Sequence, residues 1–331
     1  MKKQHIISKL ICLVFVLMAC SKPSADAVEP DLPKKAHEKN FYIVGYMFSS
    51  GNLDTESAKL DFGKITHLNI AFINPDENGL FPTVPGLAQT VKRAHDNKVK
   101  VLVSIGGGSP PEHLKSLLVA NKRAALINEL VKLTTTYNLD GVDVDLEGSL
   151  IDENYEPFVV GLSSALKSHN KLMTSAVATW NGDDISDKAL RTFDFINIMS
   201  YDQTGPWRKE EPGPHSTYEA VLSDFLYWNT NRSVPASKIT MGLPFYGYGF
   251  GPAIKESYSY GEILRLFPGA ESKDIIEVPG QGTIYYNGLP TIQKKVKFAL
   301  DNKLAGVMIW QLFGDAAGDK SLLSAINAEV P

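Results

Sequence analysis

Eight short β-rich runs recur along this chain: Ile43–Phe48, His67–Ile73, Val99–Ile105, Gly141–Glu147, Met173–Thr179, Phe195–Tyr201, Ile239–Phe245 and Ala305–Gln311. Most are separated by segments with helical spacing. Leu126, Leu130, Leu133 and Tyr137 fall on one helix face, and Phe158, Leu162 and Leu166 repeat the pattern. Strands that alternate with helices are joined by crossovers and therefore run parallel. Eight such units in roughly 290 residues predict an α/β fold, the (β/α)8 TIM barrel, which typically takes about 250. The rival is a doubly wound open sheet, but no G-x-G-x-x-G fingerprint follows the first strand. One interval is long, between strands seven and eight at about residues 250–290. It predicts a small insertion on the barrel rim.

The first forty residues do not fit that pattern. Lys2, Lys3 and Lys9 precede an apolar run from Leu10 to Ala19, too short to span a bilayer but suited to the core of a signal peptide. The run ends in Leu17-Met18-Ala19-Cys20, which resembles the bacterial lipoprotein signal. That resemblance implies removal of residues 1–19 and lipidation of Cys20. Residues 21–40 hold three prolines and no aromatic residue, so residues 20–40 read as a lipidated cysteine on a flexible tether. The folded domain is then 41–331. Multiple acyl chains would hold it on a membrane. Ser21 after the cysteine resembles the sorting signal for the outer membrane, so a lipid-anchored place in the bacterial cell envelope is expected. Cys12 and Cys20 are the two cysteines, which excludes a disulfide framework and a thiolate zinc cluster. A net charge of −4 gives no basic surface for nucleic acid.

The chemistry is concentrated in the fourth run, Asp140-Gly141-Val142-Asp143-Val144-Asp145-Leu146-Glu147. Side chains alternate faces along a strand, so Asp143, Asp145 and Glu147 share one face and Val142, Val144 and Leu146 the other. The apolar face suits the outer helices, and the acidic face must then point into the barrel. Neighbouring carboxylates about 7 Å apart along such a row repel one another and resist desolvation. Their pKa values are driven apart, and some stay protonated. An isolated D-x-D would more often be a solvated edge strand, but strong β-formers flank these acids. Carboxylates also suit Mg²⁺ or Ca²⁺, although no nearby pair of histidines suggests a transition metal. No metal or cofactor is expected.

The segment resembles the DxxDxDxE signature of glycoside hydrolase family 18, the chitinase family, at Asp140, Asp143, Asp145 and Glu147. Ser104-Ile105-Gly106-Gly107 resembles the family's SxGG motif, and Met199-Ser200-Tyr201-Asp202 its MxYD motif. Gly242 to Gly247 resembles strand seven, and Gly306 to Trp310 strand eight with its stacking tryptophan. The resemblance spans residues 41–330 and implies substrate-assisted catalysis, outside the usual two-carboxylate scheme. The sugar's own acetamido carbonyl would attack C1. Glu147 would protonate the glycosidic oxygen and then activate water. Asp145 would accept the acetamido N–H, and Asp143 would share a proton with it. Tyr201 would hold the acetamido oxygen, with Asp202 and Met199 beside it. Trp310 would floor the site, while Tyr46 and Ser104 would support the carboxylates. Asp140, at the strand entrance, suits a structural role.

The implied substrate is an oligo- or polysaccharide of β-1,4-linked N-acetylglucosamine, cut by a monomer. Two alternatives remain open: an endo-β-N-acetylglucosaminidase acting on N-glycans, and a non-catalytic surface protein that binds glycans. Trp180, Trp207, Tyr248 and Phe250 lie in loops after strands and are either sugar platforms or packing residues. His215, within Pro-Gly-Pro-His, reads as a turn residue. Glycines 106–108 could suggest a phosphate cradle, but no GK[ST] follows.

Overall fold

The computed structural model of the protein describes residues 41–49 and 51–331. The expected leader, Cys20 and the tether lie outside the described residues. In chain order the strands are β1 (Tyr42–Phe48), β2 (His67–Ala71), β3 (Lys100–Gly106), β4 (Gly141–Asp145), β5 (Leu172–Val177), β6 (Phe195–Ile198), β7 (Ile239–Pro244), β8 (Tyr246–Phe250), β9 (Ser257–Ser259), β10 (Ile275–Val278), β11 (Gly282–Tyr285) and β12 (Gly306–Trp310). β1 to β7 and β12 close into one barrel, each parallel to both neighbours. This is the predicted (β/α)8 barrel. β8 to β11 form a separate antiparallel sheet in the order β10-β11-β8-β9. It is the predicted insertion, and it begins at Tyr246, directly after β7.

Two layers of packing hold the barrel. The outer one lies between strands and helices. Leu126, Leu130 and Leu133 of helix Arg123–Thr136, and Phe158, Leu162 and Leu166 of helix Tyr155–Lys167, are buried in it. Val142 and Val144 of β4 join them. The inner layer is a smaller cluster of Val44, Tyr46, Ala71, Phe195, Tyr201 and Met308. Along β1 the alternation is direct: Val44 and Tyr46 belong to the inner layer, Ile43 and Met47 to the outer.

The barrel strands begin and end within a few residues of their predicted bounds, and the differences gather at the C-terminal rim. β4 stops pairing at Asp145 and β6 at Ile198, although both runs stay β-rich beyond. β3 leaves the sheet at Gly106, which is in register with Asp145, so Leu146 and Glu147 have no partner on β3. In such barrels the loops beyond these strand ends build the active site.

Candidate active site

β4 carries its acids as its alternation requires. Asp143 is fully buried and Asp145 is 4% exposed, while Val142, Val144 and Leu146 are buried on the outer side. The backbone stays extended at Glu147, with φ −117° and ψ 158°, so the third carboxylate keeps the face of the other two beyond the paired strand.

Asp143 sits in a cage of donors. The register places Ser104 of β3 and Thr174 of β5 directly beside it. Oδ2 accepts from Tyr46 Oη at 2.7 Å and from Ser104 Oγ at 2.7 Å. Oδ1 accepts from Thr174 Oγ1 at 2.5 Å and from Asn197 Nδ2 at 3.1 Å. Thr240 Oγ1 donates to Asn197 Oδ1 at 2.6 Å and fixes the amide's orientation. Burial pushes the Asp143 carboxyl upward, and these four bonds pull it back. Tyr46 and Ser104 were expected as supports. Thr174 and Asn197 were not, and only the barrel's register brings them to Asp143.

Asp145 contrasts with its neighbour. Its Oδ1 is buried with no hydrogen-bond partner, and no bond joins it to Asp143. Burial raises the Asp145 carboxyl well above its ordinary range, and Glu147 and Asp143 add to the shift. Glu147 is raised from 4.5 to about 6, chiefly by burial and then by the charge of Asp202. Burial, followed by the nearby carboxylates, keeps the Tyr201 phenol protonated, so it can act as a donor.

Asp202 adopts a left-handed backbone, φ +62°. Tyr246 Oη donates to its Oδ1 at 2.5 Å and Tyr248 Oη at 3.0 Å, both from β8. His215 Nδ1 lies 3.3 Å from the same oxygen. His215, read from sequence as a turn residue, lies in a bend and is 1% exposed, with its ring against both tyrosines at 4.9 and 4.8 Å. Tyr248, open between platform and packing, is a clasp on Asp202.

A cavity of about 160 Å³ opens over these groups. Tyr46, Phe72, Gly108, Asp145, Glu147, Ala176, Met199, Tyr201, Asp202 and Trp310 line it. Trp310 stacks on Phe72 with ring centres 5.7 Å apart and an interplanar angle of 27°. Asp202 and Trp310 also line a second cavity of about 290 Å³ against β8 and β9. Of the expected site residues, Asp145, Glu147, Tyr201, Asp202, Met199, Tyr46 and Trp310 line the first cavity. Asp143 and Ser104 lie behind it. Asp140 is bonded elsewhere, to His95 Nε2 at 2.8 Å and to the Val101 N–H at 2.8 Å. Phe72 carried no sequence signal that set it apart, while Tyr246 lay within the Gly242 to Gly247 segment and His215 within Pro-Gly-Pro-His without their contact with Asp202 being evident.

Gly106 and Gly107 have φ of +98° and +89°. A β-carbon on Gly106 would stand 2.1 Å from Asp145 O, and one on Gly107 would stand 2.5 Å from the Phe72 ring. Two glycines are thus what lets β3 close against the acids, and Gly107 N–H donates to Asp145 O at 2.7 Å. Among the described residues, no group of three or more His, Cys, Asp or Glu side chains is placed to hold a metal ion.

The arrangement brings a glutamic acid raised to about 6, a buried aspartate with one oxygen lacking a donor, a phenol and a tryptophan into one cleft. Residues 42–315 match the model of Glycosyl hydrolases family 18. The chain is similar to the GH18 chitinase ChiB from the chitin utilization locus of Flavobacterium johnsoniae. The two are 35% identical over 88% of this chain and 94% of that one, with a TM-score of 0.80. It is also similar to a chitinase from Bacteroides thetaiotaomicron, 32% identical over 88% and 96% of the two chains, TM-score 0.75. Among curated relatives, Chitinase-3-like protein 2 of Homo sapiens is 26% identical over 78% of this chain and 79% of its own length. A chitinase-like effector of Moniliophthora roreri is 27% identical over 68% of this chain, and the match spans 63% of that protein.

Proposed function

The chain belongs to glycosyl hydrolases family 18, and from that premise we propose that it cleaves β-1,4 linkages between N-acetylglucosamine units by substrate-assisted, retaining catalysis. The observation that carries the reading is the contrast along one face of β4. Asp143 is saturated by donors, Asp145 is buried with an oxygen free of them, and Glu147 is raised to about 6 at the cavity wall. An acetamido N–H is the donor that Asp145 Oδ1 lacks.

The steps follow from those positions. The acetamido carbonyl oxygen attacks C1 as the C1–O bond breaks, and the leaving oxygen takes the proton of Glu147. Asp145 Oδ1 accepts the N–H, and the positive charge that develops on the ring so formed draws its raised carboxyl back toward the ionised form. Tyr201, kept protonated, donates to the acetamido oxygen. Water then attacks C1, gives its proton to the Glu147 carboxylate and restores the acetamide. Two inversions at C1 retain the β configuration. An acid with a pKa near 6 suits both proton transfers, since it gives and takes protons near neutral pH. Trp310, backed by Phe72, is a flat apolar floor for the sugar being cleaved.

Digestion of chito-oligosaccharides beside a high-mannose glycopeptide, followed by mass spectrometry, tests the substrate. Cleavage of the glycopeptide alone would favour an N-glycan endo-β-N-acetylglucosaminidase, and binding without cleavage a glycan receptor. Glu147→Gln tests the acid. General acid–base catalysis supplies about 10²–10⁴-fold in rate, so turnover should fall by that range while oligosaccharide affinity changes little. Wild-type turnover in that variant would remove Glu147 from the mechanism.

We also propose, on the apolar run, Cys20 and the proline-bearing segment, that the domain is tethered by lipid to the bacterial cell envelope, at the outer membrane.

A further inference from the structure

Ion pairing makes the two ends of the barrel unlike. In a closed barrel of parallel strands every strand starts at one end and finishes at the other. The segments that lead into the strands carry Lys98, Lys100, Lys171, Arg191 and Lys303. Lys171 is half-buried and the other four are exposed. None of these five side chains has an ion-pair or hydrogen-bond partner among the described residues.

The carboxylates of the same segments are all engaged. Lys64 pairs with Asp61, Lys92 with Asp96 and Lys297 with Asp301. Asp140 is held by His95, and Asp194 Oδ2 accepts from the Met173 N–H at 2.8 Å. Those two charges are matched by Lys167 and Lys238, which donate to the Thr192 and Phe193 carbonyls. Glu329, at the end of helix Leu322–Glu329, accepts from Gln293 Nε2 at 3.0 Å. The strand-entry face is thus left with cations to spare.

The opposite end is the reverse. The loops that follow β2 to β6 carry Glu77, Glu112, Glu153, Asp184 and Glu210, exposed and without side-chain partners among the described residues. They surround a cleft that already holds Asp145, Glu147 and Asp202. Unpaired cations such as Lys122 and Lys273 occur on that side too, but there they share the surface with free acids. The overall charge of −4 conceals this polarity.

Two of the spare cations occupy positions that do not favour lysine. Lys98 and Lys303 have φ of +61° and +57° where a helix turns into a strand. The equivalent turns before β4 and β5 use Asn138 and Asn170, at φ +52° and +56°. Asparagine enters the left-handed region more readily, because its short amide can bond to the local backbone. The chain also joins the barrel on this face, since β1 begins at Tyr42. An acyl group on Cys20 would therefore draw this face, and not the cleft, toward a bilayer.

We propose that the strand-entry face, through Lys98, Lys100, Lys171, Arg191 and Lys303, docks on the anionic phosphate headgroups of the membrane that holds the lipid tether. The choice of partner rests on the reading of Cys20 as a lipid anchor. Each basic side chain close to an anionic leaflet adds attraction, and a face without free carboxylates meets little repulsion there. The acidic rim is repelled by the same surface, so both ends of the barrel act to hold the cleft outward.

The test mixes the purified full-length protein with vesicles of phosphatidylcholine, alone or with phosphatidylglycerol, and reads lysine acetylation by mass spectrometry. It is run at about 0.1 M and about 1 M salt, where charges are screened over about 10 Å and about 3 Å. On the anionic vesicles at the lower salt, Lys98, Lys100, Lys171 and Lys303 should label severalfold more slowly than on the neutral ones. The higher salt should abolish that protection, and Lys122 and Lys273 should label alike throughout. Lys98→Gln, Lys100→Gln and Lys303→Gln combined should remove the protection of Lys171 and leave thermal unfolding unchanged. Entry-face lysines that label alike on both vesicles overturn the inference, as does equal protection of Lys122 and Lys273. Protection by inorganic polyphosphate and none by vesicles assigns the face to another polyanion and overturns it too. An intact mass without acyl chains overturns the tether alone if salt-sensitive protection on anionic vesicles persists, and both readings if it does not.

Discussion

Glu147 holds its proton to higher pH than an ordinary glutamic acid for two separable reasons, burial and the charge on Asp202. Its folded pKa of about 6 lies above the ordinary 4.5, so the acid form persists to higher pH, and kcat/KM should decline as pH rises through about 6. Asp202→Asn removes the charge and leaves the burial. The Glu147 pKa should drop, and the alkaline limb should move to lower pH without reaching the limit of a free carboxylic acid. A pH series of kcat/KM for both proteins checks this, and coincident limbs would show that Glu147 does not sense Asp202. Asp202 was legible in the sequence because it follows Tyr201 in a recognisable motif. Its partners were not. Tyr246 and Tyr248 come from the next strand past the barrel wall, and His215 from a proline-rich stretch that reads as a turn, so their meeting depends on how loops converge above the strands.

At the scale of one strand, β4 was legible because a period of two sorts acids from valines without any knowledge of partners. What β4 needs from its neighbours was legible only in part. Thr174 and Asn197 look like ordinary strand residues, and only the register turns them into donors for Asp143. Strand ends were the other loss, because pairing stops where a neighbour departs and not where β propensity fades. β7 contributes by an absence. A β-carbon on Gly242 would stand 2.3 Å from Ile198 O and 2.9 Å from the Tyr201 ring. Gly242→Ala should therefore push Tyr201 from its place. Overpacking of this kind costs about 1–3 kcal/mol, which denaturant unfolding would read. Activity should fall further than that loss of stability explains, because Tyr201 lines the cleft. A stable, fully active variant would show that the ring yields without consequence.

At the scale of the molecule, eight alternating units were enough to specify a closed barrel, and one overlong interval was enough to locate the insertion. Its shape was not readable: β9, β10 and β11 are 3, 4 and 4 residues long, too short for periodicity to speak. The proposed membrane attachment belongs to this scale too. Full-length protein made in a bacterium should partition into detergent, and Cys20→Ala should remain unlipidated; a mature N-terminus at any residue other than Cys20 would end the lipoprotein reading. The inserted sheet also reaches beyond its own borders. Through Tyr246 and Tyr248 it grips the residue whose charge tunes the acid. Cleft wall and working pH are therefore inherited as one parcel. Grafting this sheet onto a related barrel should carry over its acidity profile together with its depth, and an engineer who wants to alter one must expect to disturb the other.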